Sequence, residues 1–355
     1  MGNKKTWLGV ALLAMLAGVT LFVLLREQSL PALAEALGRV SPGWVAAGLG
    51  LMLAFECCEA ACTKLILGRL GHRLPYRRCI GYSFVGFYVS SITPSSTGGQ
   101  PAQIYYMSRD GVPTAHAALN MLLLAVSYQI AALLYCVLTL ALQPGLVAAM
   151  GTSWGLLLLY GGGVMAVLTV GMLCLMFLPG AAKRLTRWVL GALCALRIVK
   201  DRSSAEEKLA HQMAEYRRGA ECVRTNPALA AAVLGLTLMQ LTALFSVPFA
   251  VYRAFGLTGH GAWELIGAQA LVTIATSALP LPGAVGASEG AFVRSFAPFF
   301  GAALVTPAVL VSRGISFYSF LLLSAAVTLA VHLAKRPHLA GEPKSLDNEG
   351  KIGYK

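Results

Sequence analysis

Charge is what this sequence has least of. Of its 355 residues only 12% are Asp, Glu, Lys or Arg, 57% are hydrophobic, and mean hydropathy is +0.69. Globular domains carry about a quarter charged residues, so half of the usual polar surface is missing and a soluble fold is excluded. Acidic residues are scarcer still, 15 against 28 Lys and Arg, for a net charge of +13. In a soluble chain that excess would point to nucleic acid. In a membrane protein Lys and Arg gather in cytoplasmic loops, so no nucleic-acid partner is expected. There is no Walker loop, no His-Glu-x-x-His and no nucleophile triad, which argues against ATP-driven pumping by this chain alone and against a catalytic residue set. The eight cysteines lie mostly in apolar segments and read as small packing residues rather than a disulfide framework.

What the chain does have is long apolar runs. Trp7–Leu25, Trp44–Ile66, Ala115–Leu142, Trp154–Leu178, Ala228–Tyr252 and Ala303–His332 are each long enough to span a hydrocarbon core of about 30 Å. The first follows Lys4 and Lys5 and precedes Ala32-Leu33-Ala34, as a cleavable signal would. Its apolar core is longer than the usual signal core, which favours a retained helix. Two further runs are broken. Ile80–Met107 is interrupted from Pro94 to Pro101, and Ala262–Phe300 from Pro280 to Gly290. A continuous helix cannot run through either interruption.

Charge sets the topology. Arg69, Arg73, Arg77 and Arg78 follow the second span, and Lys335 and Arg336 follow the last. The connection 179–227 carries Lys183, Arg184, Arg187, Arg197, Lys200, Arg202, Lys208, Arg217, Arg218 and Arg224. Loop 143–153 is nearly uncharged and 26–43 nearly balanced, so both termini are expected in the cytoplasm. Six crossings meet that condition only if each broken run enters and leaves on one side. The expected fold is therefore an all-α polytopic membrane protein of about six full spans plus two re-entrant helical hairpins. It forms one domain over 1–334, with inverted halves 44–142 and 228–334. Ordinary loops between spans are the alternative. Broken segments at matching positions of inverted halves point to a substrate site near the bilayer midplane. Residues 183–217 mix Leu185, Trp188, Val189 and Leu193 with basic residues, as a helix on anionic inner-leaflet lipids would, or as a solvated connector. The tail 335–355 is polar and expected to be disordered.

The two tips carry the candidate site. Thr97-Gly98-Gly99-Gln100 has the spacing of a capping box, with Pro101 suited to a first helical turn. Gly286-Ala287-Ser288-Glu289 puts Glu289 where Gln100 stands, with Ser288 a second cap and Gly283 in the preceding loop. Each returning half-helix would aim free N–H groups at an anion such as a phosphate; capped helix starts without a ligand are the plainer reading. Ionisable residues inside apolar runs are costly and usually face a cavity or a partner. Glu56, Glu289, Arg294 and Arg313 are the candidates here, with internal ion pairing as the alternative. Glu59 stands one turn from Glu56 and is read equally as a site residue or as a partner of Lys64. Cys57, Cys58 and Cys62 lack a histidine and are not expected to hold a metal. Tyr82, Tyr105 and Tyr106 read as interfacial anchors. No cofactor is implied.

Thr93-Pro94-Ser95-Ser96-Thr97-Gly98-Gly99-Gln100-Pro101-Ala102-Gln103, followed by Arg109-Asp110-Gly111, resembles the first signature of the flippase-type transmembrane domain of lysylphosphatidylglycerol synthases. Leu279-Pro280-Leu281-Pro282-Gly283-Ala284-Val285-Gly286-Ala287-Ser288-Glu289-Gly290, with Arg313 downstream, resembles the second. The resemblance covers roughly residues 7–334. Many family members are acidic where this chain has Gln100, which puts a proton or cation role at that position in doubt. The full-length synthases add a soluble aminoacyl-transferase domain; this chain ends at Lys355, so that chemistry is expected to be missing. The resemblance implies movement of a phospholipid or aminoacylated phospholipid between leaflets of a bacterial plasma membrane, with a link to cationic-peptide resistance. A carrier for a small anionic solute and a non-transporting scaffold for a lipid enzyme are the rivals. A homo-oligomer is left open.

Overall fold

The computed structural model describes residues 35–93, 96–146, 152–177, 180, 184, 216–218, 220–221, 223–277 and 287–333. The expected first span, the connection around 185–215 and the tail lie outside them. Among the described residues ten helices carry the architecture: α1 (Pro42–Arg69), α2 (Tyr76–Ile92), α3 (Gly99–Arg109), α4 (Thr114–Leu142), α5 (Thr152–Phe177), α6 (Pro227–Phe245), α7 (Val247–Ala254), α8 (Ala262–Thr276), α9 (Ala287–Arg313) and α10 (Ser319–Leu333). A π-helical turn, Gly314–Tyr318, joins the last two. Five stretches of this set are long and apolar enough to cross a membrane. The protein is therefore an all-α polytopic membrane protein.

Length separates spans from half-spans. At 28 residues α1 reaches about 42 Å, enough for the hydrocarbon core and both interfaces. With 17 and 11 residues, α2 and α3 reach only about 25 and 16 Å. They pack on each other, and contacts show where their far ends lie. Near the start of α2, the Tyr82 hydroxyl donates to Asp110 Oδ2 over 2.6 Å and Arg78 stands 3.6 Å from the same oxygen; Asp110 directly follows α3. Arg109 donates to the carbonyls of Val331 and His332 at the end of α10. The hairpin thus enters and leaves on the face where α10 ends and where Arg69, Arg73 and Arg77 sit. We call this the basic face.

The second hairpin opens the other way. Ser41 N–H donates to the Ala254 carbonyl, which joins the start of α1 to the end of α7. His260, just before α8, packs on Phe299, and Tyr252 packs on Phe300, with ring centroids 4.9 and 5.4 Å apart. Both legs of the α8/α9 hairpin therefore reach the face opposite the basic one. The long helix α9 is in fact two. Gly301 has φ 72° and ψ 164°, which a residue with a Cβ rarely adopts, and the break divides the returning half-helix from the last span. Span, hairpin and span thus occur twice in opposite orientation, as the charge argument expects.

Close backbone approach holds the first hairpin shut. A Cβ added to Gly99 would stand 2.6 Å from the Gly86 carbonyl oxygen and would collide with Ser90 Oγ. Glycine here is a packing requirement, as at many helix crossings in membranes. Gly99→Ala should therefore destabilise the protein by about 1–3 kcal/mol through overpacking, read as a lower melting temperature in detergent. An unchanged melt would mean that the two legs do not touch as described.

Candidate functional site

Glu56 lies midway along α1, and Glu59 follows one turn later on the same side. Neither could rest in hydrocarbon without donors. The donors come from three other helices. Ser83 of α2 donates to Glu56 Oε2. Gln103 of α3 donates its amide to Glu59 Oε1 over 3.0 Å, and Gln240 of α6 donates to Glu59 Oε2 over 3.3 Å. Together these elements enclose a cavity of about 440 Å³ at the level of Glu56. Phe55, Phe87 and Tyr128 supply its aromatic wall, and Gln100, Gln129 and Ser90 add polar groups. Gln129 is itself held, because its Oε1 accepts from Thr169 of α5 over 2.6 Å. Among the described residues no Lys, Arg or His lines this space.

The hairpin tip is built differently from the capping box read from sequence. Helix α3 starts at Gly99, so the cap falls on Gly98, which has no side chain to offer; no side-chain cap bond forms. Instead Gly98 N–H donates to Thr93 Oγ1 over 3.0 Å, and Ser90 Oγ donates to the Ser96 carbonyl. The returning helix is thus tied to the end of the descending one. Thr97 is exposed at the tip, Gly98 and Gly99 form the tight approach, and Gln100 reaches the cavity. Pro94 and Ser95 lie outside the described residues.

Around the second tip the expected residues do not meet the cavity. Glu289, 3% exposed, forms an ion pair with Arg313, whose Nε stands 2.7 Å from Oε1, and the guanidinium lies over the Phe317 ring. This is the internal ion pair that was the alternative reading: the carboxylate and the arginine balance each other's charge, and neither lines the central space. Arg294 is exposed on α9 and lies outside the cavity wall. Gly283 and Gly286, and the side chain of Ser288, fall outside the described residues. The phosphate site imagined from Arg294, Arg313 and two helix starts is therefore not assembled among the described residues. Lys64 does not pair with Glu59 either; it is exposed and stands over Tyr76, 5.7 Å from the ring centroid. Cys62 packs against Thr237 and the Val233 carbonyl. Tyr82 and Tyr106, read as interfacial anchors, instead clasp the base of the first hairpin, Tyr106 by bonding His332 Nδ1 over 2.9 Å.

Ser83, Gln103, Tyr128, Gln129 and Gln240 escaped the sequence reading, although amides inside apolar runs were a signal. A mid-membrane cavity walled by two carboxylates and four amides, between spans and a re-entrant hairpin, defines the class: a membrane protein with a polar internal site of the kind carriers use. A family model described as "Lysylphosphatidylglycerol synthase TM region" matches residues 6–324. The chain belongs to that family. No curated protein matches the chain.

The Glu59–Gln103 bond can be measured. Gln103→Leu removes an amide donor from a carboxylate that has no other cation nearby, and should cost about 1–3 kcal/mol of stability. In a double-mutant cycle with Glu59→Gln the two changes should couple by at least about 0.5 kcal/mol. Additive losses would show that the residues do not interact.

Proposed function

We propose that this protein moves phospholipids bearing a free amine between the leaflets of a bacterial plasma membrane, and that it is a transporter rather than an enzyme. One observation carries the reading: the cavity at mid-membrane presents Glu59, held open by Gln103 and Gln240, and, among the described residues, no basic side chain. An ammonium group can take the place of those amides on the carboxylate, with Tyr128, Phe55 and Phe87 around it for cation–π contact. The acyl chains stay in lipid while the headgroup passes the first hairpin. An acidic wall repels a small anionic solute, which weighs against that rival. A purely structural scaffold would have no use for a cavity of this size beside two carboxylates. Family membership supports a lipid-related role. By the positive-inside rule the basic loops at 67–79 and 216–224, together with Arg109, favour a cytoplasmic basic face and, with it, cytoplasmic termini.

The test is reconstitution of the full chain in liposomes holding tail-labelled phosphatidylglycerol, its lysyl ester, or phosphatidylcholine. The lysyl ester should lose its leaflet asymmetry at least about tenfold faster than phosphatidylcholine, and Glu59→Gln should slow it about tenfold, the equivalent of about 1.4 kcal/mol. Arg294→Ala should change nothing. No protein-dependent movement of any of the three lipids would sink the proposal.

A further inference from the structure

Two oxygens in the central site have nothing to bond. Glu56 is 1% exposed, and its Oε1 has no hydrogen-bond partner although its Oε2 accepts from Ser83. Gln103 is 6% exposed, and its Oε1 is likewise buried without a partner. The second case follows from the first bond of the site: because Gln103 commits its amide nitrogen to Glu59, its carbonyl must face away, toward no donor. Both residues sit on the wall of the same cavity, and they come from different helices, α1 and α3. A buried acceptor left empty costs about 1–3 kcal/mol, more when charged. Neither oxygen can satisfy the other, since both only accept.

The charge count around them leads to the same place. On α1, Glu59 adds a second carboxylate one turn away. From α4 the titratable group on the space is Tyr128, beside the neutral Gln129; His116, at the start of that helix, is bonded to His72 at 2.8 Å. Of the arginines of α2, Arg77 is exposed at the helix start and Arg78 stands on Asp110, and Arg109 of α3 is bonded to α10 carbonyls. Helix α6 brings Gln240 and no charge. Arg253 of α7 lies over Trp44 on the far face, and Arg313 is on Glu289. Two carboxylates therefore stand in the middle of the membrane with no cation beside them among the described residues. Buried charge of this kind persists only when it is paired.

We propose that Glu56 Oε1 and Gln103 Oε1 mark a binding site for one small monovalent cation, a proton or a sodium ion, and that its occupancy alternates with that of the lipid amine at Glu59. A proton on Glu56 would turn an orphaned acceptor into a donor, and sodium would accept lone pairs from both oxygens. Either would neutralise one carboxylate. A cation on Glu56 lowers the negative charge that holds the amine on Glu59 one turn away, so the two compete and a cation gradient drives the lipid the opposite way. The site stands on its own geometry, whereas the coupling rests on the lipid-translocation reading.

The site is tested without lipid transport by melting the purified full chain in detergent at constant ionic strength, with sodium replacing choline and, separately, across a pH series. Saturating sodium, or acidification in its absence, should raise the melting temperature by about 4 °C. Glu56→Gln should remove that response, and Gln103→Leu should reduce it. A sodium effect at fixed pH identifies sodium, and a pH effect alone identifies the proton. No response to either, or an equal response in Glu56→Gln, overturns the site. In liposomes an imposed gradient of the active cation should change the initial rate of lysyl-ester movement several-fold in the native chain and not in Glu56→Gln. Lipid movement indifferent to both gradients overturns the coupling while leaving the transport reading intact. A cation response in detergent without any lipid movement does the reverse.

Discussion

A carboxylate in the middle of a membrane persists only where the protein brings donors to it, and Glu59 draws its donors from two helices that are far away in sequence. Gln240 is 181 residues on and arrives on α6, while Gln103 arrives on α3, which exists at that depth only because the chain turns back before crossing. The rest of the core follows from that meeting. Helix α3 has to enter beside α1, so α2 must descend with it, and Gly86 and Gly99 must allow the two legs to touch. The cavity is the space that remains when these pieces are held apart by polar side chains rather than pressed together by apolar ones.

The base of the hairpin is clasped where its tip is shaped. Asp110 receives Tyr82 and faces Arg78, and Arg109 takes the last carbonyls of α10, which no intrahelical donor can reach. The Arg109-Asp110-Gly111 motif thus joins both legs of the first hairpin to the final span, and Gly111, at φ 91°, turns the chain toward α4. On the opposite half, the Glu289–Arg313 pair does an internal job: it ties the returning half of α9 to the start of the π-helical turn. The two halves mirror each other in path but not in chemistry. The first tip opens on a polar cavity, whereas the described part of the second hairpin carries an ion pair.

Most of the path was legible in the sequence, because hydropathy and Pro/Gly interruptions report directly on which segments can cross a membrane. The span and hairpin boundaries of the described helices fall within a few residues of those expected from Trp44–Ile66, Ala115–Leu142 and the two broken runs. The site was legible only in part. Glu56 was visible as a charge in an apolar run. Its partner Ser83 and the Gln103 and Gln240 that hold Glu59 were not, since an isolated Ser or Gln in a helix carries no periodic signal and the contacts join elements far apart. The capping box failed over a single residue: a helix start at Gly99 instead of Gly98 moves the cap from Thr97 to a residue without a side chain. That Arg294 and Arg313 lie off the central cavity was hidden for another reason. Spacing shows that a charge lies within a span but not which side of the helix it occupies.

The central claim is that a lipid headgroup is held by Glu59 between α1, α3 and α6. The most direct test is a structure of the full chain in lipid nanodiscs containing the lysyl ester of phosphatidylglycerol. The account predicts headgroup density against Glu59, with the amide of Gln103 or Gln240 displaced from it and the acyl chains outside the helices. Headgroup density at the Glu289–Arg313 pair, with the central cavity empty, would contradict it.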